Sequence, residues 1–166
     1  MDPAEVARQL ADRLEATNIP YALGGALAYA YWGVARGTHD VDINLFIPPE
    51  QMAEALDALE QAGLKIDRAA ALTSAEARGD ARGYVEDVPV DLFVDSIPLH
   101  LEAARRTVTV FLFERPIRVL SAEDLTVLKL LFFRGKGCIT SEWRSGSKRP
   151  LRFPVLLPGL LKKHTA

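Results

Sequence analysis

The sequence predicts an α+β domain of the α/β class: one mixed β-sheet packed with helices. Three observations carry that expectation. Short runs rich in β-branched and aromatic residues, VDINLFI (41–47) and VPVDLFV (88–94), read as strands. Between them lie stretches with apolar residues at helical spacing, of which MAEALDALEQ is the clearest. The two kinds alternate irregularly, and a hairpin is expected about Glu114-Arg115-Pro116, which argues against a uniformly parallel sheet.

Each element has its own warrant. Asp2-Pro3-x-Glu5 combines an N-cap acid, a first-turn proline and a carboxylate at N3. Val6, Leu10 and Leu14 then recur on one face, predicting an amphipathic helix over 3–16 that ends near Asn18-Ile19-Pro20. Tyr21-Ala22-Leu23 is a short strand running into Gly24-Gly25. Residues 26–33, ALAYAYWG, predict a mostly buried helix closed by Gly33, with Tyr29, Tyr31 and Trp32 in the core. A strand over about 40–47 stops at Pro48-Pro49, and a helix over 50–61 turns Met52, Leu56 and Leu59 inward before Gly63. The segment 67–80 is Ala-rich and charged without a clear period, so it is expected as loop or ragged helix. A strand over 88–94, a short helix near 98–105 and strands near 107–113 and 116–120 follow. Ser121-x-x-Asp124 resembles a capping box and opens a last helix with Leu125, Leu128 and Phe132 on one face.

Composition narrows the class. The 166 residues are 49% hydrophobic and 25% charged, ordinary for a globular domain with a proper core. A single cysteine, Cys138, excludes an internal disulfide and a Cys-based zinc site. The charged N-terminus has no signal-peptide core, and no apolar run approaches a membrane span, so a cytoplasmic protein without membrane contact is expected. The net charge of −2 conceals an asymmetry: residues 1–136 sum to −7 and residues 137–166 to +5. The expected organisation is therefore a domain over 1–136 and a basic, Pro-containing tail over 137–166, either poorly ordered or non-native.

The strand at 40–47 raises the question of chemistry. Strand side chains alternate, so Asp40, Asp42 and Asn44 share one face while Val41, Ile43 and Leu45 form the core face. Two carboxylates about 7 Å apart along a strand repel, and burial sharpens the repulsion. Such a pair persists where a cation or water sits between its members. Several stock motifs fail: there is no G-x-G-x-x-G, no P-loop, no H-E-x-x-H and no G-x-S-x-G. Asp40-x-Asp42-x-Asn44 opens like a calcium loop, but Leu45 and Gln51 stand where that loop needs Gly and Glu.

What remains is a composite. Gly24-Gly25 lies at a strand end and helix start, R-G-T-H-D-V-D-I follows with its first aspartate some fifteen residues on, and Asp91 sits in the later strand VPVDLFV. Oxygen-only ligands suit Mg²⁺, and two such ions clamp the attacking and leaving oxygens of an in-line displacement. The Gly-Gly turn lets backbone N–H groups approach a triphosphate at the positive end of a helix. The residues also admit a structural pair at a strand end, capped by Arg36 or backbone N–H groups. Asp95 shares the strand face of Asp91 and rivals it, and Lys129 on a mostly apolar helix reads equally as a snorkelling surface residue.

The ordered set "LGGALAYAYWGVARGTHDVDINLF" and "VPVDLFV" resembles the nucleotidyltransferase superfamily related to DNA polymerase beta, over roughly residues 1–136. It is most similar to the small bacterial and archaeal stand-alone and abortive-infection-type members, in which R-x-T-x-D-h-D (h apolar) and a later S-A-E-D-L-x-x-L-K helix recur. The resemblance implies transfer of a nucleoside monophosphate from an NTP to an acceptor hydroxyl, with release of pyrophosphate. It implies Asp40, Asp42 and Asp91 as catalytic metal ligands for two Mg²⁺, with Mn²⁺ as a substitute, and Asp91 also as the group that activates the hydroxyl. Gly24 and Gly25 are implied as the nucleotide phosphate turn, Arg36 and Thr38 as groups near the mouth of the site, and Lys129 as a phosphate contact. The acceptor is open between tRNA, a protein side chain and a small molecule such as an antibiotic. The alternative is a non-catalytic partner-binding module of the same fold, such as a toxin–antitoxin component. Members usually continue R-x-K-D; here Arg134-Gly135-Lys136 is followed by Gly137.

Overall fold

Thirteen elements follow one another in the computed structural model, which describes residues 1–33 and 37–131. Arg36, Phe132 and the expected tail lie outside the described residues. α1 (Pro3–Ala16) starts at Asp2, whose carboxylate accepts from the Ala4 N–H, and it buries Val6, Leu10 and Leu14. β1 (Tyr21–Leu23), α2 (Gly25–Trp32) and β2 (Val41–Leu45) come next, then a 3₁₀ turn (Pro49–Gln51) leading into α3 (Met52–Gln61). α4 (Arg68–Arg78), β3 (Asp80–Val85), β4 (Val88–Phe93) and α5 (Pro98–Arg105) follow, and β5 (Val108–Leu112), β6 (Arg115–Val119) and α6 (Ala122–Leu131) complete the described chain.

The six strands form one sheet in the order β3-β4-β2-β1-β6-β5. The pairs β2/β4 and β1/β6 are parallel and the rest antiparallel, so the sheet is mixed as expected. Val41, Ile43 and Leu45 are buried on one face with Leu10, Leu14, Leu56 and Leu59 of α1 and α3. Ala22, Leu120 and Leu128 form a smaller cluster. Among the described residues no helix is long and apolar enough to cross a membrane.

Four expectations need correction. Residues 68–78 form a regular helix, capped by Asp67, whose carboxylate accepts from the Ala70 N–H, and by Gly79 at φ +77°. Its buried stripe is only Ala71 and Ala75, which is why its period was faint. β3 was not anticipated at all. It pairs with β4 through a two-residue turn, Glu86-Asp87, with Glu86 at φ +53° where a glycine would have signalled a hairpin. In the second hairpin the turn residues are Phe113 and Glu114, both at positive φ, and Arg115-Pro116 already belongs to β6. The aromatic cluster divides: Trp32 is half-buried against the core, whereas Tyr29 and Tyr31 are exposed, and Ala28 alone is fully buried in α2.

The start of α6 is held by more than its capping box. Ser121 Oγ accepts from the Asp124 N–H and donates to Asp124 Oδ2 at 2.7 Å, and Arg106 donates to both Asp124 oxygens, at 2.6 and 3.1 Å. Burial pushes the Asp124 carboxyl up, but the hydrogen bonds and charge of Arg106, with the Ser121 hydroxyl, more than offset this and hold it below the usual carboxylate range. Asp124→Ala leaves these donors without an acceptor and is expected to cost about 2 kcal/mol, read by urea denaturation.

Candidate functional site

The strand register builds a row of three charged side chains. Asp42 of β2 is paired with Asp91 of β4, and Asp91 with Arg82 of β3. Paired residues point to the same side of a sheet, so Arg82, Asp91 and Asp42 stand in line across three strands, on the face opposite Val41 and Ile43. β4 lies between β2 and β3, so Asp91 is not an edge-strand residue. Asp40 precedes β2 by one residue, and the Thr38 hydroxyl donates to its Oδ1 at 2.6 Å.

The Gly24-Gly25 turn meets this row directly. The Gly24 N–H donates to the Asp42 carbonyl at 2.8 Å, and Gly24 provides no side-chain cap for the first N–H groups of α2. Gly25 sits at φ +53°, and a Cβ placed on it would lie 1.7 Å from Asp42 Oδ2. Only glycine permits both that backbone conformation and that approach. The start of α2 therefore packs directly against the Asp42 carboxylate.

Even so, the charge on Asp42 is poorly compensated. Burial, and then the carboxylates of Asp40 and Asp91, push its carboxyl up to about 7, and Arg82 offsets this only in part. Arg82 spends its fork on Asp91: Nε lies 2.5 Å from Oδ1 and Nη2 2.6 Å from Oδ2. Asp91 is 16% exposed and Arg82 58%.

The other candidates separate. Asp95, the rival of Asp91, follows the end of β4; its N–H donates to the Ile47 carbonyl and its carboxylate lies 4.0 Å from His100 Nδ1. It lies two residues past the end of β4 and level with Ile47, beyond the far end of β2, so it does not share the position of Asp91 beside Asp42. Lys129 of α6 reaches α2, its ammonium 5.9 Å from the centroid of the Tyr29 ring. Arg82 was not among the sequence candidates because its strand was not; the R-G-Y-V run ahead of VPVDLFV is the one sequence signal that would have found it.

The donor chemistry fits a hard divalent cation. The row and Asp40 offer carboxylate oxygens only, and a partly compensated buried charge at Asp42 is what such an ion would neutralise. Among the described residues no three acidic, histidine or cysteine side chains are already gathered as a metal cage.

The comparisons agree with this architecture. The sequence model of the aminoglycoside-2''-adenylyltransferase family matches residues 6–142. The structure of ANT(2'')-Ia in complex with adenylyl-2''-tobramycin is similar with a TM-score of 0.60 and 17% identity, over 85% of this chain and 83% of that one. The lincomycin-bound lincosamide antibiotic adenylyltransferase LnuA gives 0.53 and 15%, over 84% and 91%. An antigenic nucleotidyltransferase-like protein from Paracoccidioides brasiliensis gives 0.55 and 19%, over 89% and 69%. No curated protein matches the chain. At these identities the solved structures speak for the fold, and the fold is that of nucleotidyltransferases. The family match, spanning most of the sequence, places the chain in the aminoglycoside-2''-adenylyltransferase family.

Proposed function

We propose that this protein transfers a nucleoside monophosphate from an NTP, ATP in the first instance, to a hydroxyl of a small polyhydroxylated acceptor of the antibiotic kind, and that the transfer depends on Mg²⁺ or Mn²⁺. The observation that carries the reading is the carboxyl of Asp42, pushed up to about 7 beside two further carboxylates and under the glycine turn of α2. The family match supports nucleotide transfer. The adenylylated tobramycin and the lincomycin of the two antibiotic adenylyltransferases support a small-molecule acceptor over tRNA or a protein side chain.

In this reading Asp40 and Asp42 hold the metal, with Asp91 contributing one oxygen. Bound there, the ions would neutralise the charge that grows on the α-phosphate during in-line displacement. Thr38 holds the Asp40 carboxylate in place through its 2.6 Å hydrogen bond. The uncapped N–H groups at the start of α2 bind triphosphate oxygens, which is the service of Gly24 and Gly25. Asp91 takes the proton of the acceptor hydroxyl, since its two carboxylate oxygens have lone pairs enough for one metal contact and one further donor. Lys129 is proposed as a phosphate contact and Arg36 as a nucleotide-binding group near the mouth of the site.

The test is release of pyrophosphate by the purified protein with each NTP, Mg²⁺ and a panel of aminoglycosides and lincosamides. Metal-dependent release with ATP and at least one antibiotic, abolished by EDTA, is the expected result. A folded protein that releases none with any NTP and acceptor pair would overturn the reading.

A further inference from the structure

The sequence reading and the family resemblance give no role to Arg82, yet it makes one of the most complete charge-assisted contacts in the described structure. Its guanidinium donates from Nε and Nη2 to the two oxygens of one carboxylate, at 2.5 and 2.6 Å, in the paired geometry that suits arginine and that lysine does not reproduce. That carboxylate is Asp91, the neighbour of Asp42 in strand register.

We propose that Arg82 is a positioning residue that acts as a built-in cation latch: it occupies the two oxygens of Asp91 until a divalent ion enters the carboxylate row, and so sets how tightly the row takes up metal. The inference rests on the metal-site reading above and adds its regulation. Three observations carry it. The fork uses one lone pair on each Asp91 oxygen, so a metal cannot take this carboxylate bidentately while Arg82 remains. Arg82 is 58% exposed against 16% for Asp91, so the guanidinium is the member that can leave toward solvent. Finally, β3 presents Arg82 from the strand nearest the sheet edge, with the row's interior left to the acids.

The latch has a direct consequence for metal affinity. A cation arriving at Asp91 must displace or crowd two charge-assisted hydrogen bonds before it gains a ligand. Removing the fork therefore strengthens metal binding. A residue present only to tie β3 to β4 would leave metal affinity unchanged on deletion.

The experiment is titration of the full chain with Mn²⁺, followed by electron paramagnetic resonance of the free ion, for the wild type, Arg82→Gln, Arg82→Lys and Asp42→Asn, each checked for folding by circular dichroism. Arg82→Gln is expected to bind Mn²⁺ about tenfold more tightly than wild type. Arg82→Lys keeps the charge but loses the fork and is expected to fall between the two. Equal affinity of Arg82→Gln and wild type would overturn the latch, as would an Arg82→Lys variant identical to wild type, which would reduce Arg82 to a through-space charge. The carboxylate site itself is judged separately by Asp42→Asn, which is expected to lose binding. If no variant and no wild type bound Mn²⁺, both the site and the latch would fall.

Discussion

Asp42→Asn is expected to lower nucleotidyl transfer at least about a thousandfold and, in metal-free buffer at pH 8, to raise the melting temperature by about 5 °C. The two effects have one cause. The Asp42 carboxyl is pushed from 3.8 up to about 7 by burial and by the Asp40 and Asp91 carboxylates. Its folded pKa lies above its unfolded one. Between pH 4 and about 7 the native chain therefore keeps a proton that the unfolded chain has lost, and stability falls as pH rises through that window. Above it, the folded state carries a charge it does not favour. At 1.36 kcal/mol per pKa unit the shift corresponds to at most about 4 kcal/mol, and relaxation around the site brings the expected gain from asparagine to about 2 kcal/mol. Thermal unfolding of wild type and variant across pH 4 to 8 checks this. The gain should shrink toward zero at the acid end, where wild-type Asp42 is already neutral, and a gain independent of pH would contradict the assignment. Mg²⁺ should close the gap at pH 8 by stabilising the wild type alone.

Gly25→Ala is expected to remove at least about 99% of the turnover and about 1–2 kcal/mol of stability. The stability loss comes from a β-carbon at φ +53°. The activity loss comes from contact: the new carbon would stand 1.7 Å from Asp42 Oδ2, so the carboxylate or the turn has to move by more than an ångström. Gly63→Ala separates the two contributions. It has φ +86° but open surroundings, with Gln9 Nε2 at 3.5 Å as the nearest atom. It should lose comparable stability and keep its turnover. Steady-state pyrophosphate release by the two variants, alongside urea denaturation, gives the comparison, and full activity in Gly25→Ala would remove the glycine turn from the site.

The reach and the failure of sequence reading can be seen in single elements. α1 and α3 were legible because their caps and apolar spacing are local, and β2 and β4 because β-branched and aromatic residues cluster there. α4 was obscured because its buried stripe is alanine, which buries little and so patterns weakly. β3 was missed because its turn uses Glu86-Asp87, with Glu86 held at positive φ by the hairpin rather than by glycine. α2 is apolar throughout, yet only part of it packs on the core, through Leu27, Ala28 and Trp32, whereas Tyr29 meets Lys129 and the Tyr31 hydroxyl donates to the Phe111 carbonyl. Tyrosine carries a polar tip that lets it stand at a surface.

The mixed sheet and most of its helices were legible in local sequence, as were the residues proposed here for the chemistry: the Gly24-Gly25 turn, Asp40, Asp42 and Asp91. These are local facts, written in spacing and in the alternation of strand faces. Which acids stand together was decided only by tertiary structure. Asp91 and Asp95 are indistinguishable on the face of a lone strand, and the parallel register of β2 with β4 is what sets Asp91 beside Asp42 and carries Asp95 to the level of Ile47. The same is true of Arg82, whose partner lies nine residues away along the chain but directly across an antiparallel pair. Pairing between strands is a non-local choice, fixed by which faces must be buried together, and no stretch of residues states it alone.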